Sequence, residues 1–366
     1  MEFKYPVYQP HLKGNEKKYV MDCLDRNWIS SRGNYIGEFE KKFAEYVGIE
    51  YATTVCNGTA AILLALQTLG IGPGDEVILP TLVYVAVPNM VLMAGATPVF
   101  VDALPDTWQM DPDDINRKIT AKTKCIIVVH NYGHPCSMEI ISGICRKEGF
   151  YLIEDCAEAL GAKFQNRHVG SWGDISTYSF FGNKTITTGE GGMLTSHSEE
   201  LIRKAAHLKN QGVTSRVYWH DVLANNYRMT NLTAAIGLAQ LEQIDEILRM
   251  KRMVADHYRN AFENSSFEFH KEVEGTRHSY WMCSILTAYA TDREPLREYL
   301  ALQGIETRPF FYPSHIMPVY ESMKQKGFPV SENLSARGLN LPSYPSLTGS
   351  DVDYIASKVF EYERAS

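Results

Sequence analysis

Apolar residues along the chain fall into two rhythms. Between residues 38 and 47, Phe39, Phe43, Tyr46 and Val47 recur at helical spacing. Residues 59–69 are apolar almost all round, which predicts a buried helix. Gly70 closes it, and the turn Gly72-Pro73-Gly74-Asp75 follows. Short, nearly continuous apolar runs predict strands over 76–79, 97–101, 125–130, 151–154, 176–180 and 192–195, with a strand-like run at 52–55. Such runs belong to a parallel sheet covered on both faces. The helical patterns between them imply βαβ crossovers and an open α/β sheet. Residues 230–262 read as one long helix, with Ile236, Leu241, Ile244 and Leu248 on one stripe and Glu242, Asp245, Glu246 and Arg249 off it. Beyond it a strand over 279–286, a helix over 294–303 and a closing helix over 352–362 make a smaller α+β region. The expected division is a large α/β domain over 1–250 and a small one over 251–366.

Composition narrows the function classes. The 366 residues suit two domains, and 45% hydrophobic with 22% charged residues is ordinary globular usage. A net charge of −7 disfavours a nucleic-acid partner, which would need a basic field. No apolar run approaches the roughly 18 residues of a spanning helix, and the first residues show no apolar signal-peptide core. The seven cysteines form no CxxC pair, so reduced thiols in the cytoplasm are expected, with neither a disulfide frame nor a metal site.

Five stretches can carry chemistry. In Ser179-Phe180-Phe181-Gly182-Asn183-Lys184, one lysine follows a predicted strand and precedes a Thr/Gly-rich loop. That is where open α/β sheets bind ligands, and desolvation there would free the amine as a nucleophile; the alternative is a surface lysine. Asp155 ends a predicted strand, where a buried carboxylate needs a positive partner such as a protonated pyridine nitrogen; the alternative is a helix cap. At Asn57-Gly58-Thr59 a helix starts directly after a strand-like run. Its free N–H groups would attract a phosphate that Gly58 lets approach, unless the helix is merely capped. Tyr84, just past another strand end, can stack on a flat ring or belong to the core. Asn226 and Arg228, before the long helix, can meet an anion or face solvent. A nucleophilic lysine, a strand-end aspartate, a phosphate cradle and an aromatic together are the parts of a pyridoxal-phosphate site.

The ordered set NGTAA, EDCAEALGA, SFFGNKTITTGEGGM and NYRMTNLTAAIGLAQL resembles the DegT/DnrJ/EryC1/StrS sugar aminotransferases from about Trp28 to the end. The resemblance implies a fold-type I (aspartate aminotransferase-like) large domain, with sites shared across a homodimer. It implies pyridoxal 5′-phosphate bound through Lys184, with Asp155 on the pyridine nitrogen and Glu158 near the ring hydroxyl. Gly58, Thr59 and Ser179 would hold the phosphate, Asn226 would reach it from the partner subunit, and Tyr84 would lie against the ring. Arg308, His315 and Trp28 are the candidates for substrate contact. The motifs Trp28-Ile29-Ser30-Ser31, Tyr218-Trp219-His220 and Arg308 to His315 point, within the family, to a GDP-linked 4-keto-6-deoxymannose aminated at C4 for O-antigen synthesis, with L-glutamate as donor.

Some family members carry His at the lysine position and remove a sugar hydroxyl; Lys184 places this chain on the transamination branch. The alternatives are a UDP- or dTDP-linked substrate, a non-catalytic regulator on the same fold, and a nucleotide-binding oxidoreductase. The last is disfavoured because Gly70, Gly72 and Gly74 follow a helix and do not spell G-x-G-x-x-G.

Overall fold

The computed structural model describes residues 3–323 and 325–365. Its centre is a seven-stranded sheet of β1 (Tyr51–Val55), β2 (Glu76–Pro80), β3 (Thr97–Val101), β4 (Thr123–Val129), β5 (Tyr151–Asp155), β6 (Ile175–Ser179) and β7 (Gly192–Ser196). Their order is β1-β7-β6-β5-β4-β2-β3. The continuous apolar runs arise because successive side chains serve opposite faces. Val77, Leu79, Cys125 and Ile127 enter one core cluster; Ile78, Ile126 and Val128 enter the cluster behind it. The sheet is not wholly parallel: β7 runs antiparallel to both β6 and β1. The chain returns from β6 to β7 through the loop of residues 180–191, which contains no crossover helix, and an antiparallel neighbour needs none.

Helix α2 (Asn34–Val47) and helix α3 (Gly58–Leu69) pack on this frame, while helix α1 (Glu16–Asp25) packs against the helix of residues 231–241. Phe43 of α2 is fully buried, with its ring edge-on to Tyr178 at 4.8 Å and to Phe180 at 5.5 Å. The expected single helix over 230–262 is two: α4 (Asn231–Leu241) and α5 (Ile244–Phe262). No Gly or Pro marks the break. Side chains hold it instead: Glu242 accepts hydrogen bonds from Asn15 and Tyr19, both at 2.7 Å, and Gln243 donates to Glu16 at 3.2 Å.

A second, antiparallel sheet holds β8 (Glu268–Phe269), β9 (Cys283–Leu286), β10 (Arg308–Pro309) and β11 (Gly338–Leu341) in the order β8-β9-β11-β10. Helix α6 (Arg293–Leu302) and helix α7 (Gly349–Ala365) cover it. Helix α5 serves both cores, with Ile247 and Leu248 in the large one and Val254, Tyr258 and Phe262 in the small one. The expected strand over 279–286 begins only at Cys283. Tyr280 has a left-handed backbone (φ 50°), and the Ser279 N–H donates to Gly133 O at 3.0 Å. Those residues leave the sheet to meet the large domain.

Phe43→Ala is expected to destabilise the chain by about 3–5 kcal/mol, because neither the aromatic cluster nor the sheet can collapse into the space. Chemical denaturation checks this; a loss below about 1 kcal/mol would show that the cluster repacks.

Candidate active site

The parallel strands place their carboxyl ends side by side, with Val129 opposite Asp155 and Asp155 opposite Thr177. A cleft of about 430 Å³ opens there, between the large sheet and Trp281, Met282, Arg308, Pro309 and Phe311. Gly58, Thr59, Tyr84, Asp155, Glu158, Ser179, Lys184 and Arg308 all line it. Expected site residues scattered from position 58 to position 308 therefore meet in one place.

Asp155 and Glu158 are buried. Asp155 accepts from the Ala157 N–H at 3.0 Å, and burial raises its pKa against the opposing pull of that bond and of Lys184. Glu158 accepts from the Tyr132 N–H at 2.8 Å, and burial pushes its carboxyl up to about 7. The Lys184 side chain is 13% exposed, with Nζ 3.8 Å from Glu158 Oε1. Burial lowers the pKa of this amine, while Glu158 and Asp155 pull it back up. The effects act together: the carboxyl keeps its proton and the amine sheds its own more readily than either would in water.

The helix start is built for an anion. Asn57 caps α3 by accepting from the Ala60 N–H at 2.8 Å, and the N–H groups of the first turn have no partner within an α-helix. A Cβ on Gly58 would lie 2.7 Å from the Ser179 Cβ, so only glycine lets these two strand-end loops come together. Tyr84 is 56% exposed and stands 5.7 Å, centroid to centroid, from Phe311.

Three expected residues lie elsewhere. His315 is buried behind the cleft with both ring nitrogens engaged, Nδ1 with Thr81 at 2.7 Å and Nε2 with Glu332 at 3.0 Å. It ties the segment after β10 to the end of β2, so within the chain both of its ring nitrogens are already partnered. Trp28 lines a separate cavity with Asp22, Arg26 and Arg32. Asn226 sits in a loop paired with Asn210, outside the cleft of its own chain. Sequence reasoning missed Tyr132 and Trp281. Tyr132 has a left-handed backbone (φ 58°), and its ring lies parallel to that of Trp281 with centroids 6.4 Å apart. Neither residue belongs to a motif, and only Gly133, next to Tyr132, hinted at an unusual turn.

The site fits a phosphorylated pyridine aldehyde on its own geometry. It offers an amine of lowered pKa, a buried carboxylate in need of a cation, and an anion cradle that a Cβ would fill.

Residues 10–360 match the DegT/DnrJ/EryC1/StrS aminotransferase family, and the chain belongs to it. The family's enzymes use pyridoxal phosphate, and the fold is type I. The chain is 55% identical over 358 residues to the GDP-perosamine synthase of Escherichia coli O157:H7, covering 98% of each chain. It is 49% identical over 361 residues to the GDP-perosamine synthase of Vibrio cholerae, again covering 98% of each. Among solved structures it resembles the aminotransferase TlmJ from Streptoalloteichus hindustanus, with a TM-score of 0.94, 29% identity and 99% of each chain covered.

Glu158 carries a pH signature. Its folded pKa stands above the ordinary carboxylate value, so between the two the unfolded chain has released a proton that the folded chain retains. Its contribution to stability therefore falls as pH rises from about 4.5 to about 7. In the cofactor-free chain, Glu158→Gln is expected to flatten this limb in denaturation measured across pH. A limb of unchanged slope would contradict the assignment.

Proposed function

We propose that this aminotransferase converts GDP-4-keto-6-deoxy-D-mannose to GDP-perosamine, with L-glutamate as amino donor, for O-antigen synthesis. The observation that carries the chemistry is the Lys184 amine, buried near two buried carboxylates at the sheet's carboxyl edge. The 55% identity to a GDP-perosamine synthase supports the sugar.

Bound pyridoxal phosphate supplies an electron sink for the charge left when a proton leaves the donor's α-carbon. Lys184 Nζ would be its covalent anchor, and as a free amine it would take that proton and return it, as base and then acid. Its lowered pKa raises the fraction unprotonated near neutrality. Asp155 would hold a proton on the ring nitrogen. Glu158 would lie by the ring hydroxyl. Gly58, Thr59 and Ser179 would bind the phosphate, and Tyr84 would cover the ring. Arg308, half exposed at the rim and paired with Glu306 at 3.3 Å, would meet the anionic nucleotide sugar.

A homodimer completes the site in this reading: Asn226 would reach the phosphate of the partner's cofactor, consistent with its place outside its own cleft. The division into domains at residue 250 falls inside α5, the helix that feeds both cores. Among the described residues no helix is long and apolar enough to cross a membrane, and all seven cysteines are free. Free thiols support a reducing, cytoplasmic setting.

Lys184→Ala is expected to abolish amination of GDP-4-keto-6-deoxymannose, by at least about 10³-fold, in a chain that still folds. Product formation followed by mass spectrometry checks this, and normal turnover would overturn the role of Lys184. With the unaltered enzyme, kcat/KM for the GDP-linked keto sugar is expected to exceed that for UDP- and dTDP-linked keto sugars. A preference for either of those would overturn the nucleotide assignment and leave the chemistry standing.

A further inference from the structure

Trp281 stands where the small domain enters the cleft, and the Lys184 Nζ lies 4.0 Å from the centre of its ring. That is well inside the range at which a ring face attracts an ammonium. The ring is fixed from several sides. Its indole N–H donates to the carbonyl of Asn183, the residue next to the lysine, at 2.7 Å. The Trp281 carbonyl accepts from the buried ammonium of Lys251 at 3.2 Å, and the same ammonium donates to Ser343 O at 2.8 Å. Among the described residues Lys251 forms no ion pair, and burial lowers its pKa to about 8. A lysine buried without a carboxylate is costly, so its use as a clamp on Trp281 calls for a reason.

A second clamp sits one residue upstream. The Tyr280 N–H donates to His278 Nδ1 at 2.8 Å, which fixes the hydrogen of that ring on Nε2. His278 Nε2 then donates to His270 Nδ1 at 3.1 Å, and His270 Nε2 donates to Thr107 O at 2.9 Å. The chain of neutral imidazoles leads from the large domain to the left-handed turn at Tyr280 and holds that turn in place.

We propose that Trp281 is a positioning residue for Lys184: its ring face receives and orients the ammonium whenever that amine is free and protonated, and Lys251 and His278 hold the ring in register. The inference rests on Lys184 being the reactive amine of the site. The charged groups around this amine are Asp155 at the end of β5, Glu158 in the turn after it, Glu190 in the loop before β7 and Arg308 of β10. The two carboxylates nearest in effect, Glu158 and Asp155, favour the ammonium. The ring adds a non-directional attraction at 4.0 Å, so the amine can leave the ring for a bound donor without breaking a hydrogen bond to it.

The test reads Lys184 directly, in the full-length chain freed of cofactor. The rate at which acetic anhydride labels Lys184 is followed across pH by peptide mass spectrometry, giving the pKa of its amine. Trp281→Leu keeps an apolar side chain but no ring, and is expected to lower that pKa by about 0.5–1 unit; Trp281→Phe is expected to stay within about 0.3 unit. Tetrafluorotryptophan placed at 281 keeps the shape, drains the ring of electron density and should reproduce the fall. It also serves if the leucine variant folds poorly. An unchanged or higher pKa with the fluorinated ring would overturn the proposal. Failure of Lys184→Ala to lose activity would overturn the assignment of the lysine instead, so the two failures are distinguishable.

Discussion

An amine and two carboxyl groups sit together in a place with little water, and the rest of the site answers to that constraint. Lys184, Glu158 and Asp155 cannot all be charged there at the cost they would bear in solution. The amine is held below its ordinary pKa and both carboxyls above theirs. A group that forms a covalent bond to an aldehyde must first be unprotonated, and burial shifts Lys184 towards that form while Glu158 and Asp155 oppose the shift. The buried Asp155 carboxyl and the N–H groups at the start of α3 would suit a ligand that carries both a cationic and an anionic group.

The fold makes this possible by bringing strand ends together. Asp155 closes β5, Ser179 closes β6, and Gly58 opens the helix after β1. The small domain supplies the other wall, with Trp281, Phe311 and Arg308. Its hold on the large domain is polar as well as apolar: Ser279 to Gly133, His270 to Thr107 and Phe311 to Tyr132 are all hydrogen bonds across that junction. The cleft is therefore a property of the two sheets together.

Much of this was legible along the chain because burial on both faces leaves an unbroken apolar run. The run at 97–101 matches β3 residue for residue, and the other strands of the large sheet shift by a residue or two at their ends. Lys184, Asp155 and Gly58 stood out because each follows such a run, where an α/β sheet opens to ligand. What the sequence hid was set by contacts distant in the chain. The break at Glu242-Gln243 depends on Asn15, Glu16 and Tyr19, close to the other end of the sequence. The turn at Tyr280 depends on Gly133 and on two buried histidines, so an apolar run there read as strand. The motif around His315 gave no sign of its burial or of its bonds to Thr81 and Glu332, which are set by residues distant in the chain.

One amine, at position 184, is proposed to carry the cofactor. Borohydride reduction of the enzyme as purified, followed by peptide mass mapping, tests it most directly. A phosphopyridoxyl mass confined to the peptide containing Lys184 is the predicted result. The same mass on a different lysine, with Lys184 unmodified, would contradict the account.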